Sequence, residues 1–139
     1  MEDADNLTAP EEVENISEGA AGSLSEQYIN ANGIWIRSDD ISLINGTALK
    51  NAGITDVFVK VSRVVAYQTT QNQLTQVKQL LLGTGIRVHA WVTCFLDANG
   101  NWVDPQNTTV QDEVLDFTSK LASSNLVDGV HLDYVRYPG

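Results

Sequence analysis

The chain has 139 residues, the size of one small domain, and is too short for a complete eight-stranded α/β barrel, which takes about 250. Its 18 Asp and Glu against 8 Lys and Arg give a net charge of −10, which argues against a nucleic-acid partner, since that function needs a basic stripe to displace counterions from phosphates. No apolar run reaches the roughly 18 residues of a membrane span, and acids follow Met1 where a signal peptide would carry basic and then apolar residues.

Eight of the acids, Glu2, Asp3, Asp5, Glu11, Glu12, Glu14, Glu18 and Glu26, precede residue 28 with no Lys or Arg among them, leaving ten acids and eight bases for the remainder. Residues 1–27 hold few large apolar groups and cannot bury enough surface to offset ordering entropy, so they read as a disordered acidic arm or linker. Residues 28–139 read as the folded domain. Ile34–Arg37 reads as a first strand, and Ile41–Ala52 as a helix stopped by Gly53. Thr55–Ser62, with Val57, Val59 and Val61, reads as a second strand. Leu74, Val77, Leu80 and Leu81 mark one face of a second helix that ends at Gly83 or Gly85. Ile86–Phe95 is a third strand, followed by a turn-rich loop through Asp97, Trp102 and Asp104. A third helix spans roughly Val110–Ser123, with Val114, Phe117, Leu121 and Ala122 as its apolar stripe, and Asp128–Val135 is a fourth strand. This βαβαβαβ order implies an α/β fold with a parallel sheet.

The strands alternate in a way that selects among such folds. One set of positions is aliphatic: Ile34 and Ile36; Val57, Val59 and Val61; Val88, Ala90 and Val92; Val130 and Leu132. The other is mixed and polar: Trp35 and Arg37; Phe58, Lys60 and Ser62; His89, Trp91 and Thr93; His131 and Asp133. Since successive strand side chains face opposite ways, the first set packs on helices and the second faces a different environment, as in a barrel interior. An open Rossmann-like sheet is the runner-up. It would bury the charged members under helices at a desolvation cost, and no G-x-G-x-x-G follows the first strand. Arg37, Lys60 and Asp133 fall late in their strands, at the end where barrels carry chemistry.

Val88-His89-Ala90-Trp91 and Val127-Asp128-Gly129-Val130-His131-Leu132-Asp133-Tyr134-Val135-Arg136-Tyr137-Pro138 together resemble the third- and fourth-strand signatures of glycoside-hydrolase-like TIM-barrel families, V-H-A-W and D-G-[IV]-H-x-D-x-x-R-[YF]-P. Gly33–Arg37 and Leu49–Val57 are similar to that family's first strand and to its first helix and second strand. The resemblance covers residues 33–139 and implies the first four strands of a TIM (β/α)8 barrel, with hydrolysis of glycosidic bonds in cell-envelope or extracellular polysaccharide and a location to match. The chain then corresponds to the N-terminal half of that barrel, with the second catalytic carboxylate on a later strand.

Glycoside hydrolysis needs two carboxyl groups, about 5 to 5.5 Å apart for retention and about 6.5 to 9.5 Å for inversion. Asp133 reads as the only acid on the inner face and is the catalytic candidate; an ion pair to Arg37, Lys60 or Arg136 is its structural alternative. Arg136 and Tyr137, just past the strand, are placed to orient that carboxylate or hold a sugar hydroxyl. His89 and His131, on the inner face of neighbouring strands, are expected close enough to Asp133 to tune its pKa or to hydrogen-bond a substrate hydroxyl. With it they also meet the donor set of a divalent ion, so a metal-dependent hydrolase is one alternative, although no H-x-H or H-x-x-x-H spacing supports it and no cofactor is called for. A non-catalytic carbohydrate-binding or envelope scaffold is another.

Trp35, Trp91 and Trp102 offer flat faces to sugar rings, Trp102 from an exposed loop, while core packing is the favoured reading of Trp35 and Trp91. Asp39 and Asp40 read as a helix N-cap and dipole partner. The lone Cys94 suits a buried apolar position, and N-x-Ser/Thr triplets begin at Asn6, Asn15, Asn45 and Asn107. A half-barrel with open sheet edges is expected to self-associate.

Overall fold

The computed structural model describes residues 30–135; the acidic arm expected over 1–27, and Arg136 and Tyr137, lie outside the described residues. The chain divides into two units, Met1–Asn32 and Gly33–Gly139, and every element named below belongs to the second. Its elements are β1 (Gly33–Ile36), a 3-10 turn (Ser38–Leu43), α1 (Gly46–Asn51), β2 (Asp56–Val61), α2 (Tyr67–Leu80), β3 (Arg87–Thr93), α3 (Thr108–Ser123) and β4 (Gly129–Asp133). The fold is α/β, a four-stranded sheet in the order β1-β2-β3-β4, with every neighbouring pair parallel and helices in the crossovers. Among the described residues no helix is long and apolar enough to cross a membrane.

The first helix differs from its sequence reading. A single helix over Ile41–Ala52 is expected, but the segment is a 3-10 turn followed by the short α1, because Asn45 caps α1 by accepting from the Ala48 amide at 3.0 Å. Asp39 and Asp40 lie within the first 3-10 turn, whose cap position is Arg37, so neither is the expected N-cap. Gly53, at φ 85°, stops the segment as expected. Leu80 also departs from its expected burial, being 36% exposed. A helix turns about 100° per residue, which swings Leu80 away from the neighbouring buried Leu81.

The aliphatic strand positions meet the helices. Val57, Val59, Val61, Val88, Ala90 and Val92 are buried with Leu74 and Val77 of α2, Phe117 and Leu121 of α3, and Ile41 of the 3-10 turn. Cys94 is fully buried in this cluster, and burial pushes its thiol pKa up, as suits an inert core sulfur. The side of β4 is the exception: Val130 is half-buried and Leu132 is 49% exposed, since no described element covers the end of that strand. Arg63, buried just past β2, donates to the Cys94 carbonyl at 3.0 Å and the Leu96 carbonyl at 3.2 Å and pairs with Glu113 at 2.6 Å. That one side chain fixes the chain leaving β3 against both β2 and α3.

Candidate site at the carboxyl ends of the strands

The opposite sheet face is built in rows, because parallel pairing sets same-parity residues side by side. Trp35, Phe58, His89 and Gly129 share one register row, and Lys60, Trp91 and His131 share the next toward the carboxyl ends. The rings pack on one another: Trp35 stacks on Phe58 at 4.5 Å between centroids, and Phe58 stacks on His89 at 4.6 Å. Trp35 meets Trp91 and His131 edge to face, each at 5.0 Å. Trp35, Phe58, Trp91 and His131 are only half-buried, so this face is an aromatic floor and not a sealed core. Gly129 permits it, since a Cβ there would stand 2.7 Å from His89 Nδ1.

At the amino-terminal end of this face lies an acid that the sequence reading overlooked. Asp56 has the parity of Phe58 and Lys60 and is 4% exposed, so Asp133 is not the only acid on the inner face. Asp56 receives Arg87 Nε at 2.7 Å and Arg87 NH2 at 2.8 Å, lies 2.7 Å from His89 Nε2, and accepts from the Thr55 hydroxyl at 2.7 Å. Burial raises its pKa, but the hydrogen bonds from Arg87, His89 and Thr55 and the Arg87 charge outweigh this and hold it at about 2. His89 is therefore engaged at the end of the sheet remote from Asp133 and does not join it. The expected grouping of His89, His131 and Asp133 is not formed, and among the described residues no three His, Cys, Asp or Glu side chains converge as metal ligands.

At the carboxyl end, Asp133 lies on the aromatic face. Its Oδ2 accepts from Trp91 Nε1 at 3.0 Å and its Oδ1 from the Tyr134 backbone amide at 2.9 Å. No Lys or Arg among the described residues pairs with it, so the expected ion pair with Arg37 or Lys60 is absent. Tyr134 holds a φ of 55°, a left-handed conformation uncommon outside glycine, and that conformation accompanies the amide's turn back onto the carboxylate. Sequence reasoning singled out neither Tyr134 nor its backbone. Trp102, expected exposed, is half-buried with its ring 5.2 Å from that of Tyr134, so the loop after β3 reaches the Asp133 end of β4. Asp97 anchors that loop, accepting from the Asn99 and Asn101 amides at 2.9 Å each, and Asp104 likewise accepts from the Gln106 amide at 2.9 Å.

Arg37 and Lys60 converge elsewhere on the same end of the sheet. The Ile36–Val59 register sets Arg37 one step on, beside Lys60, and both line a cleft of about 460 Å³ with Asp39, Asp40, Ser62 and Gln73. Lys60 Nζ also stands 5.7 Å from the Trp91 ring centre, linking cleft and carboxylate through one indole. The chain matches no family model, no curated protein and no solved structure.

Proposed function

We propose that this chain is the first half of a TIM-type (β/α) barrel that hydrolyses glycosidic bonds, with Asp133 as one of its two catalytic carboxylates. The observation that carries the reading is the placement of Asp133: a carboxylate at the end of a parallel strand, beside aromatic rings, with each oxygen fixed by a donor and no cation neutralising it among the described residues. Ligands of parallel α/β sheets bind outside the carboxyl ends of the strands, and a held carboxylate there suits attack on an anomeric carbon or activation of water. Among the described residues β4 pairs on one side only, and this and the exposed Leu132 favour a sheet that continues past β4. The resemblance of the third- and fourth-strand segments points to cell-envelope or extracellular polysaccharide as substrate, and to a location there. Assay of polysaccharide cleavage by the full-length protein tests the reading. Asp133→Asn is expected to lose about 10²- to 10⁴-fold in rate, and undiminished cleavage removes Asp133 from the mechanism.

A second reading, a carbohydrate-binding scaffold without turnover, is favoured by one observation. The other inner-face acid, Asp56, is tied to Arg87 and His89 at the opposite end of the sheet and offers no partner carboxylate. Glycan binding by the full-length protein with no cleavage product would select the scaffold.

A further inference from the structure

The cleft at the carboxyl ends of β1 and β2 carries a charge arrangement that a neutral sugar does not require. Arg37 and Lys60 line it together with Asp39 and Asp40, yet neither cation is within ion-pair distance of either acid, or of any other described carboxylate. Arg37 is exposed and its side chain makes no hydrogen bond among the described residues; Lys60 is half-buried, and its described contact is the face of Trp91. Two cations held side by side by strand register, with acids near but unpaired, leave both charges available to a ligand. Asp39 and Asp40 then remain as acceptors for sugar hydroxyls. The volume, about 460 Å³, lies in the range of small-ligand sites, roughly 300–1,000 Å³.

We infer that this cleft is a subsite for a sugar bearing a carboxylate, a uronic acid residue, with Arg37 and Lys60 on the carboxylate and Asp39 and Asp40 on ring hydroxyls. The guanidinium fork of Arg37 matches a carboxylate in two parallel bonds, and Lys60 adds a point charge. Lys60 contacts the Trp91 ring and Trp91 donates to Asp133, so one indole stands between the cleft and the carboxylate. This inference rests on the glycan reading above and narrows it to acidic polysaccharide.

The test is calorimetric titration of the full chain with trisaccharides of galacturonate, glucuronate and mannuronate. Each is paired with its neutral methyl ester, and cellotriose and maltotriose serve as neutral references. At least one acid form is expected to bind on the order of tenfold or more tighter than its ester. Arg37→Gln and Lys60→Gln are each expected to weaken that binding on the order of ten- to a hundredfold, with circular dichroism unchanged. Equal binding of acid and ester forms, or acid binding untouched by both cleft variants, overturns the uronate subsite and leaves the glycan reading standing. Binding of no glycan at all overturns both.

Discussion

Asp56 shows what one buried carboxylate contributes and how it escapes a sequence reading. Its folded pKa of about 2 lies below the ordinary value of 3.8, so its stabilisation is fully present above the unfolded pKa and is lost as pH falls through about 2. The shift corresponds to roughly 2 kcal/mol. Denaturant titrations at pH 5 and pH 2 are expected to show that much less loss of stability in Asp56→Asn than in the wild type. Equal losses would mean that the Arg87 and His89 contacts do not favour the ionised form. The fully buried Thr70 is the opposite case: its hydroxyl has no hydrogen-bond partner among the described residues, so Thr70→Val is expected to leave stability unchanged or raise it by about 1 kcal/mol. Urea unfolding measures it, and a loss above that size would reveal a partner. The parity of Asp56 with Phe58 and Lys60 was legible in the sequence. It is the first residue of β2 and stands outside the polar set that starts at Phe58, and its role depends on Arg87 and His89, which lie 31 and 33 residues away.

Among elements, the strands were more legible than the connections. Two-residue alternation identified the helix-facing aliphatic set, because a parallel sheet covered on one side by helices imposes that period along each strand. The segment after β1 was not legible, since Asn45-Gly46 can be read either inside a helix or as its start, and packing decides. Gly46 is buried where a Cβ would stand 2.6 Å from the Leu80 carbonyl oxygen, so α1 begins where its backbone meets the end of α2. Gly46→Ala is therefore expected to destabilise the protein by about 1–3 kcal/mol, more than the roughly 1 kcal/mol of helix propensity that alanine supplies. A stabilised variant in thermal unfolding would show that α1 can shift freely. Asn45 and Asn107, which open N-x-Thr triplets, also cap α1 and α3, each accepting from an amide three residues on. Their side chains thus have a structural use apart from any glycosylation, and Asn107→Ala is expected to cost about 1 kcal/mol.

For the whole molecule, the sequence supported an α/β parallel sheet because crossover length and aliphatic periodicity are local properties. The geometry of the carboxyl end was not local. The clasp of Trp91 and the Tyr134 amide on Asp133, and the approach of Trp102 to Tyr134, arise from strand register and a left-handed residue. Within the described residues β1 and β4 each pair on one side only, and Leu132 and the half-buried aromatic face add apolar surface. Unpaired edges beside apolar surface recruit further strands, so the isolated chain is expected to self-associate in sedimentation velocity as concentration rises, whereas a cooperative monomer throughout would contradict this.

The role of Asp133 is tested most directly by the rate of polysaccharide cleavage by the full-length protein and its Asp133→Asn form, with glycan affinity recorded on the same samples. Loss of cleavage by about 10²- to 10⁴-fold with affinity retained is the predicted result. Cleavage at the wild-type rate by the Asn form would contradict it.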